Sequence, residues 1–190
     1  MRFAALLIAS ACVSSSAWAD APAARDRDVL KVTLQGSCQY RHKHPQVGKE
    51  VIESTSAFLR EDQRSLFLDA VSADTLYTAA VMDLLERNER PQPLPSDITC
   101  SGEILASRSA IDSAFKGDAI PPRWDGFYRA FPGAKSRGVV SLPGYSRSGE
   151  RAIVYRASVC EGICGSGHLL EFRRQNSQWV FDKVVTVWIS

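Results

Sequence analysis

Cys160, Cys164 and His168, each four residues from the next, are the tightest group of chemistry-bearing side chains in this 190-residue sequence. Two thiolates and an imidazole can hold a metal. A structural zinc site takes four ligands, however, and the fourth would have to come from the distant His42-Lys43-His44 stretch, where Lys43 repels a cation. The cysteine pair could also exchange disulfides. Redox pairs favour two intervening residues and a helix N-terminus that stabilises a thiolate, whereas Glu161-Gly162-Ile163 makes three and sits between two strand-like runs. A plain disulfide fits best, with Gly162 permitting the bend that a short bridge needs. No metal, cofactor or catalytic residue is assigned.

Other arrangements fail on spacing. Gly144-Tyr145-Ser146-Arg147-Ser148-Gly149 lacks the G-x-S-x-G order and the strand-to-helix setting of a serine hydrolase. Gly162, Gly165 and Gly167 precede a strand, so no helix N-terminus follows to meet a phosphate. Glu161 and Glu171 read as surface charges. Trp124, Phe127, Tyr128 and Phe131 fall at i, i+3, i+4 and i+7, a stripe that either lines a pocket or packs a helix on a sheet; packing is the commoner cause.

The N-terminus reads as an export signal. Met1-Arg2-Phe3 is followed by an apolar stretch from Ala4 to Ala9, small residues to Val13, and Ala17-Trp18-Ala19 as a cleavage site before Asp20. A rival reading makes Cys12 a lipid-modified cysteine after Ala9-Ser10-Ala11, although Ala is a poor choice three residues before it. The sequence therefore predicts a signal peptide over 1–19 and a periplasmic or secreted chain over 20–190. Four of the five cysteines then remain, and an even count in an oxidising compartment is first a disulfide count with three possible pairings. The preferred pairing is Cys160–Cys164 and, by elimination, Cys38–Cys100.

Composition bounds the partners. The formal charge is +2, with 45% hydrophobic and 23% charged residues, which excludes a disordered chain. Residues 20–100 carry −3 and residues 101–190 carry +4, far from the basic stripe of a nucleic-acid binder. After residue 19 no apolar run approaches the length of a membrane span.

The elements that position these groups come next. Asp20 to Asp28 reads as a frayed terminus. Leu30, Val32 and Leu34 alternate with polar residues as in a half-buried strand. Residues 39–49 read as a loop and 53–71 as a weakly periodic helix. Ser72 to Asn88 carries the clearest helical stripe: Ala73, Leu76, Tyr77, Ala80, Val81, Leu84 and Leu85. A short strand is expected over Ile98 to Leu105, a helix capped by Ser107 reaching Phe115, and an aromatic helix ended by Pro132-Gly133. Val139–Leu142, Ala152–Val159, Leu169–Arg173 and Trp179–Ile189 then read as four strands with short connections, an antiparallel meander. The fold class is α+β: N-terminal helices packed on a C-terminal four-stranded meander, disulfide-bonded, in one domain over 20–190.

The pattern Trp124-x-x-Phe127-Tyr128-x-x-Phe131-Pro132-Gly133, then Gly138 to Tyr145, Ala152 to Tyr155, Cys160-x-Gly162-x-Cys164-Gly165-x-Gly167 and the terminal Trp179…Trp188-Ile189-Ser190, resembles a group of small exported bacterial proteins and lipoproteins known only as uncharacterised. That group carries a C-G-x-x-C-G-x-G hairpin and a terminal W-x-S; this chain departs from it at Glu161 and at Ser177-Gln178. The resemblance covers residues 72–190 and implies an architecture and no activity. The expected function is a non-enzymatic module binding a protein or cell-envelope component. The alternative is a small-ligand-binding or hydrolytic α+β domain with an apolar pocket.

Overall fold

The computed structural model describes residues 20–71, 75–116 and 124–190, with the side chains of 20–23, 75 and 76 excepted. The expected signal peptide, Cys12, Ser72 and Ala73 lie outside the described residues.

The segment with the strand-like alternation is a helix. α1 runs over Asp20–Lys43, through the stretches expected to be a frayed terminus and part of a loop. Val29, Leu30 and Leu34 are fully buried, and Asp26 and Thr33 nearly so. With half-buried Cys38 and Arg41 they continue a 3.6-residue stripe. Both periods put residues 26, 30 and 34 on one face; buried Val29 and Thr33 fit only the helical one. β-branched Val29, Val32 and Thr33 disfavour a helix locally, and burial against the sheet overrides that preference. Thr33 Oγ1 donates to the Val29 carbonyl at 2.9 Å, so its buried hydroxyl is satisfied within the helix.

A 3-10 turn at Pro45–Val47 leads into β1, Lys49–Glu53. Of the helix expected over 53–71 only α2, Arg64–Ala70, is α-helical. α3 follows at Thr75–Arg87, and β2 occupies Glu103–Ala106, with Cys100 in the turn ahead of it. Ser107 caps α4, Arg108–Ala114, by accepting from Ala110 N–H, as its sequence position predicts. α5 is Trp124–Ala130. The C-terminal strands are β3 (Ala134–Val140), β4 (Gly144–Tyr145), β5 (Arg151–Cys160), β6 (Ser166–Gln175) and β7 (Gln178–Ile189).

The fold is α+β, but the sheet is larger and of mixed direction. Its order is β2-β1-β3-β5-β6-β7, with β4 also paired to β5. β3, β5, β6 and β7 pair antiparallel, but β4 lies between β3 and β5 in the chain and pairs with β5, so the expected four-stranded meander is met only in part. β1 and β2 extend it, each pairing parallel. The return paths that parallel pairing requires are α2–α3 between β1 and β2, and α4–α5 between β2 and β3. β1 escaped the sequence reading because a strand buried on both faces shows no alternation: Glu50, Val51 and Ile52 are all buried.

Helices cover both faces. Successive residues of β5 alternate between two apolar clusters. Ile153, Tyr155 and Ala157 pack with Phe67 of α2 and with Ala80, Val81 and Leu84 of α3. Ala152 and Val154 pack with Val29, Leu30 and Leu34 of α1. A third cluster joins Val51, Ile111 and Ala134 to Phe127, the one fully buried member of the aromatic stripe among residues with described burial.

Candidate functional site

A row of ionisable side chains crosses the sheet on the face that α1 partly covers. The parallel register sets Glu50 of β1 beside Glu103 of β2. Glu50 is completely buried and takes two arginines. Arg41, near the C-terminal end of α1, donates from Nη2 to Glu50 Oε2 at 2.8 Å and from Nη1 to the Gly48 carbonyl at 2.9 Å. Arg156 of β5 reaches the same Oε2 from the other side. Strand β3 lies between them, and Gly138 makes the crossing possible: a Cβ there would collide with Glu50 Oε1. Arg156 stands opposite His168 on β6. The imidazole bonds Ser166 at 3.0 Å and Thr186 at 3.3 Å through its two nitrogens. Burial and the Arg156 charge hold His168 below the usual imidazole range, so it is neutral at pH 7.

At the other end of the row, Glu103 sits against a disulfide. Cys38 of α1 and Cys100 are bonded, with Cα atoms 6.2 Å apart. Their two sulfurs and a Glu103 carboxylate oxygen all lie within 4.8 Å of one another. Glu103 is 7% exposed, and neither of its oxygens has a partner in hydrogen-bond geometry. Burial pushes its pKa up to about 7. Arg156 opposes that, Glu50 adds to it, and Arg41 and the backbone of Cys100 pull it down. Both arginines bond Glu50, which leaves Glu103 the carboxyl that can hold a proton near neutrality. Two thiolates and this carboxylate could ligate a metal, but bonded sulfurs carry no thiolate.

The opposite face carries an open groove of about 1750 Å³ along α3. Ala79, Met82 and Leu85 of α3, with Phe58 and Leu59, supply apolar surface, and Phe58 is 52% exposed. Arg60, Arg64, Arg25 and Arg147 line it together with Glu61, Asp62, Glu86 and Glu89. One end is held rigid. Arg87 grips Asp26 through two bonds of 3.1 and 2.6 Å, Tyr145 donates to the same Asp26 at 2.9 Å, and Asp83 accepts from Tyr145 N–H at 2.7 Å. Arg25 stacks 3.7 Å over the Tyr145 ring.

The structure does not gather the cysteine–histidine trio. Cys160 and Cys164 are bonded to each other at the tip of the β5–β6 hairpin, Gly162 takes φ +87°, and Ile163 is 92% exposed. His168 is engaged inside the sheet, and His44 stacks on Tyr40 at 4.5 Å between ring centroids. Ser146 accepts from Arg151 N–H within its turn. Glu161 is on the surface and accepts from the Tyr128 hydroxyl at 3.1 Å. Glu171, read as a surface charge, is instead fully buried, with Lys183 Nζ 3.3 Å away, because β6 turns that residue toward α3 and Tyr77. Glu50, Glu103, Arg41 and Arg156 were all missed. The usable signal was a glutamate beside an apolar pair, Glu50-Val51-Ile52 and Glu103-Ile104-Leu105; Arg156, 106 residues from Glu50, gives none by its spacing.

No family model matches the chain, and neither does any curated protein or solved structure.

Proposed function

We propose that this chain is an exported, non-enzymatic module that binds a protein of the cell envelope, and that the groove along α3 receives an extended polypeptide segment of that partner. The shape and lining of the groove carry this reading. It is open, has exposed Phe58 and half-buried Ala79 and Met82 as its apolar surface, and presents both signs of charge on its banks. A peptide backbone with mixed side chains suits such a surface, whereas a nucleic acid would require a single sign. The alternative, a small-ligand or hydrolytic pocket, would favour an enclosed cavity holding a perturbed carboxylate. The carboxyl whose pKa is raised to about 7, Glu103, lies at the Cys38–Cys100 bridge and does not line the groove. Two disulfides support an oxidising destination, and among the described residues no helix is long and apolar enough to cross a membrane.

Site-specific photocrosslinking tests the reading. A photoreactive residue at Thr78 or Glu86, both exposed in the groove, should yield one discrete adduct in an envelope extract, and the same residue at Asp112 on α4 should yield none. Adduct formation should fall at least tenfold when Met82→Asp places a charge on the groove floor. Equal labelling from all three positions, or none from the groove, would overturn the proposal.

A further inference from the structure

Glu103 is a buried carboxyl with no side-chain hydrogen-bond partner, beside a disulfide that is only half-buried. Its burial has to be explained, because an isolated carboxyl loses its hydration on folding and recovers nothing unless it pairs. Both arginines of the cluster go to Glu50. What Glu103 does meet is sulfur: one of its oxygens and both sulfurs of Cys38 and Cys100 lie within 4.8 Å of one another. The bridge is only half-buried at each cysteine.

We propose that Cys38–Cys100 is an exchange-active disulfide in which Glu103 is the proton donor to the departing sulfur. A thiolate of an external dithiol attacks one sulfur. A new S–S bond forms, the Cys38–Cys100 bond breaks, and its electron pair leaves on the other sulfur, which takes the proton of the Glu103 carboxyl. The second thiol of the reductant, deprotonated, then displaces the first cysteine from the mixed disulfide. Two protein thiols and one oxidised reductant result: of the two protons that the reductant's thiols release to solvent, one goes to the cysteine displaced second and one restores Glu103. Oxidation runs the same steps in reverse, with the Glu103 carboxylate as the base. Both sulfurs lie within 4.8 Å of one Glu103 oxygen, so the carboxyl stands beside whichever of them departs.

The charged groups facing Glu103 are Arg41 from α1, Glu50 from β1 and Arg156 from β5. Desolvation outweighs the arginines, so the carboxyl still carries its proton up to about pH 7. That proton is what a departing thiolate needs in the pH range where the bond must open.

The test is the pH dependence of reduction by dithiothreitol in the intact chain, followed by acid quench, alkylation and mass mapping of each bridge. Attack requires a thiolate, so reduction of the Cys160–Cys164 bridge should rise about tenfold per pH unit up to about pH 8.5. For Cys38–Cys100 the rate should rise to about pH 7, where Glu103 begins to lose its proton, and then stay flat. Glu103→Gln, which cannot give up a proton, should erase that bend and slow reduction at pH 6 about 100-fold, the low end of general-acid assistance. Glu103→Asp should restore the bend. The proposal is overturned if both bridges of the unmodified chain follow one profile, or if Glu103→Gln leaves the Cys38–Cys100 profile unchanged. The first comparison needs no variant, so a substitution that fails to fold does not protect the idea.

Discussion

The two disulfides of this molecule share a bond type and little else. Cys160–Cys164 closes four residues at a hairpin tip, beside exposed Ile163, and its neighbours are turn backbone and solvent. Cys38–Cys100 spans 62 residues and ties the α1 helix to the turn that enters β2, at the end of a buried charge row. The first constrains a turn that Gly162 already favours. The second fixes the only α-helix covering its face of the sheet, among the described residues, and lies beside a carboxyl whose pKa its burial has raised to about 7. A disulfide's role is therefore set by what its sulfurs are packed against, which residue spacing along the chain does not reveal.

The comparison breaks first at the charge row. Glu50→Ala should destabilise the fold by about 3–5 kcal/mol in denaturant unfolding, because it strands Arg41 and Arg156 in a largely buried setting without their shared carboxylate. A loss under 1 kcal/mol would mean that water reaches both guanidinium groups. Next is the long bridge. Cys38→Ser with Cys100→Ser should cost about 4 kcal/mol, the loop-entropy value for a closed loop of 62 residues, and should loosen the C-terminal end of α1 in hydrogen exchange.

The third expectation sharpens the electrostatic half of the contrast and has the opposite sign. Glu103 has a folded pKa of about 7, above the ordinary carboxylate value. Its protonated form is the one that the fold favours, so its contribution is fully present below the unfolded pKa of about 4.3 and is lost as pH rises through about 7. Glu103→Gln should therefore stabilise the chain at pH 8 by about 2–4 kcal/mol and change little at pH 4. Unfolding curves of both proteins at the two pH values check this; equal effects at pH 4 and 8 would remove Glu103 from the ionising groups. The smallest effect belongs to the hairpin. Cys160→Ser with Cys164→Ser should cost about 2 kcal/mol, independent of pH between 5 and 8, and leave α1 protection unchanged.

Much of the fold was legible in the residues. Ser107 announced its helix by capping chemistry, the Trp124–Phe131 stripe by its helical period, and the long strands β5, β6 and β7 by strand-like runs separated by turn residues. α1 was misread because Leu30, Val32 and Leu34 satisfy a two-residue period as well as residues 30 and 34 satisfy a helical one. β1 was missed because it is buried on both sides and carries Glu50 in the core. The candidate site was almost wholly illegible. Glu50 and Arg156 are 106 residues apart in sequence and meet only because β3 lies between their strands with Gly138 at the crossing.

The sequence by itself determined the local grammar of this protein: the cap of α4, its turns, the apolar period of α3 and α5, and a short cysteine loop that can close within its own hairpin. Those depend on neighbours a few residues away, whose geometry the backbone enforces. Only the tertiary structure decided which way β1 and β2 run, which face α1 covers, and which carboxylate the two arginines take. Each of those outcomes is a competition for burial between segments distant in the chain. A glutamate left without an ion pair by that competition stands against a disulfide because β2 begins three residues after Cys100, and α1 brings Cys38 down onto it.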